Sequence, residues 1–183
     1  MVVDGYLHAP STTVAEVING ELSLLPRPRP RCANAATRLT GRLRGFSDPE
    51  GDDPGGWVIL AEPELHPGNL PDIIAPDLAG WHRARFPTNA LDDAPAHPEV
   101  APDWCCEVLS PHTTTLDRGD KMRIYRREGV GHYWLLDPLA RTLEVLRLDG
   151  KTYRVVDVFV GDAVVRAEPI DAIELPLAAL WRV

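Results

Sequence analysis

The sequence predicts an α+β fold in which helices pack on a mixed β-sheet, and three observations support this. Segments with strand and helix periodicity follow one another in the order hairpin, helix, strands, helix, strands. The 183 residues include 18 prolines and 14 glycines, which favour many short elements over a helix bundle. Because 44% of the residues are hydrophobic, the chain can bury one core, and we expect one domain spanning residues 1–183.

The first half of the chain is predicted to form a hairpin, a helix and two strands. Strand-like stretches in "EVINGELSLLP" flank Asn19-Gly20, a pair typical of tight hairpin turns. The following "RPRPRP" is expected to be an extended connector, since proline cannot continue a central strand. "CANAATRLTGRLRGF" predicts an amphipathic helix because apolar residues recur at helical spacing: Ala35, Ala36, Leu39 and Leu43. After the loop "SDPEGDDPGG", strands are predicted in "WVILAEPEL" and "PDIIAPDLAGW", which prolines interrupt.

The second half is predicted to contain a buried strand, a helix and three further strands. Residues 83–102 show no consistent period, and "DWCCEVLS" then reads as a strand. Thr114 and Asp117 match a helix start signal, and Gly129 is a suitable terminator. "HYWLLD", "TLEVLRL" and "TYRVVDVFV" are predicted strands, with the last two joined in a hairpin around Asp149-Gly150.

The charges are unevenly distributed along the chain. The net charge of −8 argues against a protein that coats nucleic acid without specificity. Residues 22–47 nevertheless contain no acid and carry six arginines: Arg27, Arg29, Arg31, Arg38, Arg42 and Arg44. This segment is either a phosphate-facing surface or an ordinary solvated helix face.

The cysteines and the N-terminus indicate a reduced, cytoplasmic protein. Cys105 and Cys106 are neighbours on a strand and point to opposite faces, so they are not expected to bridge. With Cys32 they are predicted to be small buried residues rather than a disulfide framework or zinc site. The N-terminus lacks the basic start and apolar stretch of a signal peptide, and no apolar run is long enough to cross a bilayer.

Two acidic residues lie in otherwise apolar strand-like stretches. Glu107 shares a strand face with Cys105 and Leu109, and in "APDLAGW" Asp77 shares a face with Ala75, Ala79 and Trp81. Two carboxylates on adjacent strands can hold Mg²⁺ or Mn²⁺ through oxygen ligands. Lys121, one helical turn from Asp117 and from Tyr125, could point back at them from the next helix and act on a phosphate transition state. The alternative is that an arginine or backbone N–H groups satisfy these acids without any chemistry.

At these residues the chain resembles the Uma2 family, also called DUF820, a branch of the PD-(D/E)xK nuclease superfamily. The resemblance runs from about Glu16 to Leu148 through "PDLAGW", "PDWCCEVLSPHTTTLDRGDKMRIYRREGV" and "HYWLLDP". It implies a restriction-endonuclease-like central mixed sheet flanked by helices. The implied metal ligands are Asp77, Glu107 and the carbonyl of Val108.

Two positions depart from the family pattern. The superfamily lysine belongs two residues after the glutamate, where this chain has Leu109, and Lys121 of the following helix matches the lysine that takes over in Uma2-like chains. A histidine that the family often carries near the first helix is replaced by Cys32. Pro71-Asp72 and Pro102-Asp103 compete with Pro76-Asp77. Asp77 is preferred because "APDLAGW" matches the family better and because the other two acids resemble strand-entry residues.

The sequence supports two functional hypotheses. The first is a metal-dependent endonuclease that hydrolyses phosphodiester bonds in DNA, with Asp77, Glu107 and Lys121 as catalytic residues and Mg²⁺ or Mn²⁺ as cofactor. Five arginines are predicted to contact the nucleic acid: Arg27, Arg29, Arg31, Arg38 and Arg42. The second is a nuclease fold kept as a catalytically weak or inactive binding or regulatory module, which allows a homodimer. Leu109 and the acidic net charge favour this alternative.

Overall fold

The structure, a computed structural model, describes residues 2–47, 56–68, 70–86, 98 and 100–182. The strands are β1 (Thr13–Ile18), β2 (Glu21–Pro26), β3 (Trp57–Ala61), β4 (Leu78–His82), β5 (Trp104–Val108), β6 (His132–Asp137), β7 (Thr142–Asp149), β8 (Thr152–Val160), β9 (Val164–Val165) and β10 (Leu175–Pro176). The helices are α1 (Val2–Leu7), α2 (Pro30–Ser47), α3 (Thr114–Leu116), α4 (Met122–Arg127) and α5 (Ala178–Trp181), and a π-helical turn at Asp117–Lys121 joins α3 to α4.

A six-stranded mixed sheet in the order β3-β4-β5-β6-β7-β8 forms the centre of the fold. Its β5-β6 pair is parallel and the other neighbouring pairs are antiparallel, so the predicted mixed α+β fold is confirmed. Parallel neighbours require a crossover connection that lies on one face of the sheet. Here α3, the π turn and α4 form that connection, and they cover the face on which Glu107 lies.

Two apolar cores lie on opposite faces of this sheet. One packs α2 and the C-terminal segment against residues such as Cys106 and Val108. The other packs α4 against residues such as Cys105 and Leu109. The adjacent cysteines therefore point to opposite faces as predicted, and all three cysteines are buried and free.

Both predicted hairpins are present. Asn19 (φ 53°) and Gly20 (φ 78°) form the turn between β1 and β2, which matches the left-handed conformation that both positions of such a turn require. The second hairpin joins β7 to β8, but its turn lies one residue later than predicted. Because Asp149 pairs with Thr152, the two turn residues are Gly150 and Lys151.

Helix α2 follows the predicted apolar pattern. Its buried residues are Cys32, Ala35, Leu39, Leu43 and Phe46, while Ala36 is half-buried. The helix begins at Pro30, which suits a first helical position because its missing N–H would have no partner there. The predicted extended connector is thus shortened to residues 27–29.

The helical segment after β5 departs from a plain α-helix. It begins at Thr114 as predicted, but the Thr114 hydroxyl donates to the Ser110 carbonyl (2.6 Å) and no side chain caps the helix start, so the expected cap is wrong. The π turn adds one residue to the helical path, which is a feature often found at functional sites. The predicted terminator is confirmed, since α4 ends at Arg127 and Gly129 adopts φ 75°.

The rest of the chain agrees with the prediction in part. Prolines interrupt the two predicted strands as expected: β3 ends at Ala61, β4 begins only at Leu78, and Ile73 and Ile74 form isolated bridges. Helices α1 and α5 and strands β9 and β10 were not anticipated. Most of the predicted loop at residues 47–56 and of the irregular segment at residues 83–102 lies outside the described residues. Within the described part of the chain, no helix is long and apolar enough to span a membrane.

Candidate functional site

A cleft of about 200 Å³ opens between the β1-β2 hairpin, the start of α2 and the edges of β4, β5 and the π turn. Five acidic side chains and one lysine line it: Glu16, Glu62, Asp77, Glu107, Asp117 and Lys121. Arg27, Arg29 and His112 line the same cleft. The fold therefore brings together the three residues that were predicted to be catalytic, although they come from separate elements.

Asp77 and Glu107 reach the cleft from neighbouring strands. Leu78 at the start of β4 pairs with Cys106 of β5, so Asp77 lies beside the end of β5. The Val108 N–H donates to Asp77 Oδ2 (2.7 Å), and the Asp77 N–H donates to Glu107 Oε2 (3.4 Å). Asp77 immediately precedes its strand rather than lying within it, because Pro76 delays the start of β4. The two carboxylates line one cleft and do not lie on opposite faces of the sheet.

Lys121 is buried beneath these carboxylates, with 3% of the residue exposed. Its Nζ lies 2.7 Å from Glu107 Oε1 and 3.0 Å from Glu16 Oε1, and it donates to the Ala75 carbonyl at 3.3 Å. A lysine this deeply buried requires carboxylate partners, since desolvating an unpaired ammonium is costly. The lysine of the π turn thus contacts the glutamate of β5 directly.

Glu16 is a member of the site that the sequence reasoning missed. It lies on β1 with 2% of the residue exposed, and its Oε1 accepts hydrogen bonds from the Ala75 N–H (2.9 Å) and from Lys121. The bridge between Val17 and Ile73 fixes the hairpin beside the segment that leads to Asp77. The rule that singled out Glu107, a lone acid in an apolar strand-like stretch, would also have identified Glu16.

Two buried tyrosines donate hydrogen bonds to residues of the site. The Tyr125 hydroxyl donates to Glu107 Oε1 at 2.6 Å, and the Tyr133 hydroxyl donates to the Asp117 carbonyl at 3.0 Å. Glu107 Oε1 is therefore shared by a tyrosine and Lys121, while Oε2 faces the Asp77 N–H. These contacts fix the orientation of the glutamate side chain.

Burial and charge set the protonation of the cleft. Burial raises the pKa of Asp77 above its ordinary range, although the Val108 N–H and Lys121 oppose this, and burial raises the pKa of Asp117 to about 6. The pKa of Glu107 is raised by burial against the attraction of Lys121. Burial alone would lower the pKa of Lys121, but the carboxylates of Glu107, Glu16 and Asp117 raise it, so the ammonium stays charged at neutral pH.

The two family positions that depart from the pattern also adjoin the cleft. Leu109, at the position where the superfamily has its lysine, is buried in the apolar core with Ile124. Cys32 lines the cleft, and its thiol lies 3.5 Å from the Leu109 carbonyl, to which it donates. Burial, followed by the nearby Asp77 charge, raises the pKa of Cys32, which keeps the thiol neutral.

The predicted arginine surface is divided by the fold. Arg27 and Arg29 line the cleft, and Arg29 Nη2 lies 3.2 Å from His112 Nε2. Arg31 lines a different depression. Arg38 donates to the Asn34 side chain on the same helix, and Arg42 is exposed.

The two competing Pro-Asp pairs are used elsewhere. Asp72 is 1% exposed and accepts from Arg127 Nη2 at 2.9 Å. Asp103 accepts from the His82 N–H at 2.8 Å and pairs with Arg85. Neither aspartate lines the cleft, whereas Asp77 does.

Among the residues that the structure describes, no three His, Cys, Asp or Glu side chains already converge as a metal cage. Mg²⁺ does not need one, because it usually keeps several waters and binds through one or two carboxylates together with substrate phosphates. Asp77 and Glu107 provide hard oxygen donors of that kind in an open cleft. The residues present therefore fit a hydrated divalent cation.

The raised pKa of Asp117 predicts a pH-dependent stability. The pKa of Asp117 in the folded protein, about 6, exceeds its ordinary value of 3.8. The contribution of Asp117 to the free energy of unfolding is therefore complete below about pH 4 and is lost as the pH rises through 6. Asp117→Asn, which stays neutral, is expected to be more stable than the parent by up to about 3 kcal/mol above pH 6 and by little at pH 4. Urea unfolding of metal-free protein at both pH values measures this difference, and a pH-independent difference would contradict it.

The chain is similar to proteins of one family. A model of the Uma2 family, described as "Putative restriction endonuclease", matches residues 3–178. The fold is similar to that in the crystal structure of "a putative nuclease belonging to DUF820" from Anabaena variabilis ATCC 29413, solved at 1.96 Å resolution. The two chains are 22% identical, the match covers 99% of this chain and 97% of that chain, and the TM-score is 0.75. No curated protein matches the chain.

Proposed function

The chain belongs to the Uma2 family, and from this premise we propose that its cleft binds Mg²⁺ or Mn²⁺ and hydrolyses phosphodiester bonds in DNA. The observation that carries the proposal is the position of the Lys121 ammonium between Glu107 and Glu16, in the cleft that Asp77 also lines. A purely structural ion pair would need only one carboxylate for one ammonium. The excess of acids in an open cleft instead favours a cation-binding site.

Asp77 and Glu107 are the proposed metal ligands, and the carbonyl of Val108 is the proposed third. When bound, the metal would activate a water and neutralise charge on the phosphate. Tyr125 and Lys121 orient Glu107, so that its other oxygen can face the cleft. Glu16 holds the opposite side of the Lys121 ammonium.

Lys121 is proposed to stabilise charge on the reacting phosphate through the electrostatic field of its buried ammonium. Its charge is retained because three carboxylates raise its pKa, and a fixed ammonium in a site of low dielectric stabilises developing negative charge. Arg27 and Arg29 at the cleft rim are proposed to contact phosphates of the DNA, and Arg31, Arg38 and Arg42 are proposed to extend this contact along α2. Since phosphate contacts carry no sequence information, this surface would position the DNA rather than select a site.

A nuclease fold that binds or regulates without turnover is the second candidate, and one observation favours it. The position at which the family often has a histidine holds Cys32, a neutral thiol that donates to a backbone carbonyl. If an imidazole there is required for turnover, the cleft would bind metal and nucleic acid without cleaving. Such a module could act as a homodimer.

Incubation of the purified protein with supercoiled plasmid DNA tests the proposal. We expect nicking or linearisation with Mg²⁺ or Mn²⁺, none with EDTA, and none for Glu107→Gln, which keeps the shape of the side chain but removes a charged ligand. Parallel reactions with single-stranded DNA and RNA define the substrate. Metal binding by calorimetry without cleavage of any of these substrates would instead support the inactive module.

A further inference from the structure

A second depression, about 270 Å³ in volume, lies on the surface beyond the start of α2. Three arginines and one acidic residue line it together with apolar side chains: Arg31, Arg141, Asp162, Arg182, Pro138, Ala178 and Trp181. The arginines come from three distant parts of the chain, so the fold, rather than a local run of charge, brings them together. The sequence reasoning identified only Arg31.

The positive charge of the three arginines in the depression exceeds the negative charge of its one acidic residue. Arg141 pairs with Asp162, but neither Arg31 nor Arg182 forms an ion pair with any of the described residues. Guanidinium groups that share one surface depression repel each other unless an anion lies between them. In a protein with a net charge of −8, this local excess indicates an anion-binding surface.

The backbone fixes the position of Arg141 in the wall of the depression. Arg141 adopts φ 57°, a left-handed conformation that costs an ordinary side chain about 1–2 kcal/mol and that glycine or asparagine adopts more easily. Its carbonyl accepts from the Gly161 N–H at 2.8 Å, and the Trp181 indole N–H donates to the Gly161 carbonyl at 2.8 Å. This conformation belongs to the turn between β6 and β7, and the hydrogen bonds hold Arg141 at a fixed place in the wall of the depression.

The depression lies close to the candidate active site along the chain. Arg29 lines the cleft and Arg31 lines the depression. The Cα atoms of residues two apart in sequence are separated by at most about 7 Å. One strand of DNA carries a phosphate for roughly every 3.4 Å of helix axis. A strand with one phosphate in the cleft could therefore place a later phosphate at Arg31.

We propose that the depression formed by Arg31, Arg141 and Arg182 is a second phosphate-binding subsite, which holds the backbone of the nucleic acid where it leaves the cleft. The identity of the ligand rests on the proposed function. The subsite itself requires binding only and no turnover.

The test measures binding of a fluorescent 20-base-pair DNA duplex in EDTA, where no cleavage occurs, at several salt concentrations. Arg31→Gln with Arg182→Gln removes two charges from the depression while keeping polar side chains. The matched control is Lys151→Gln with Arg154→Gln, which removes two exposed charges from the opposite end of the β7-β8 hairpin. We expect the first pair to make the slope of log affinity against log salt shallower by about 1.8, and the control to leave it unchanged.

The other outcomes overturn the proposal. They are an unchanged slope for the Arg31 and Arg182 pair, an equal change in both pairs, or no duplex binding by the parent. If inorganic phosphate binds the parent and not the variant while duplex binding is unchanged, the depression is a small-anion site and the proposal is also wrong. A parent that binds DNA through the depression but cleaves nothing would contradict the proposed function alone.

Discussion

Lys121→Met is expected to reduce metal-dependent cleavage by at least about 100-fold while metal binding persists. The methionine keeps the apolar stem of the buried lysine but removes the ammonium, whereas both proposed carboxylate ligands remain. Without the ammonium, Glu107 and Glu16 lose a partner at 2.7 Å and 3.0 Å, so the metal-free protein should also lose about 3–5 kcal/mol of stability at pH 7. Plasmid cleavage, calorimetric titration with Mn²⁺ and urea unfolding measure the three effects.

Arg123→Met is the matched control for this change. Arg123 lies in α4, directly after the π turn that carries Lys121, and pairs with Asp120 at the surface, so its loss should alter stability by less than about 1 kcal/mol and leave cleavage intact. If Lys121→Met cleaves as well as the parent at saturating metal, the lysine is only a structural counter-charge. Because bound metal can replace the missing positive charge, saturating metal also separates a catalytic defect from a folding defect.

Asp77→Asn is expected to abolish both metal binding and cleavage, whereas Asp72→Asn should affect stability alone. Both residues follow a proline, but Asp72 is buried away from the cleft, whereas Asp77 is half-buried and lines it. Loss of a residue that only hydrogen-bonds to a metal ligand typically weakens metal affinity by about 10- to 100-fold. Removal of a carboxylate that binds the metal directly should weaken the affinity by more than this. Asp72 instead pairs with Arg127, and its other oxygen has no partner among the described residues.

Calorimetry with Mn²⁺ and plasmid cleavage for both variants decide which Pro-Asp pair is the metal site. Loss of metal binding in Asp72→Asn, with metal binding intact in Asp77→Asn, would show that Asp72 is the metal ligand and that Asp77 is not. Asp103→Asn serves as a third comparison, because Asp103 pairs with Arg85 away from the cleft.

Local patterns explain what the sequence predicts well. Asn19-Gly20 specifies its turn through backbone conformation, and the period-two alternation around Glu107 assigns that side chain to one face of the sheet. The position of Lys121 follows from the same logic, since a helix between parallel strands must cross the sheet. These features depend on neighbours in sequence, and the fold preserves them.

The parts that could not be predicted depend on contacts between distant segments. Glu16 joins the site only because the hairpin pairs with Ile73 and its carboxylate then reaches Lys121. The depression formed by Arg31, Arg141 and Arg182 requires the ends of α2, β7 and α5 to lie together, and no periodicity in the sequence predicts this contact. Prolines were expected to interrupt this strand, but the pattern of polar and apolar residues does not show that β4 begins only at Leu78.

The π turn at Asp117–Lys121 bears on how such sites are recognised across genomes. A π turn contains one residue more than an α turn, and both Asp117 and Lys121 are buried at its two ends. Loss or gain of a single codon between Ser110 and Lys121 would rotate one end of the helical segment against the other and separate these side chains. A search pattern for this arrangement should therefore fix the length of the segment between the strand glutamate and the helix lysine, as well as the residue types at its ends.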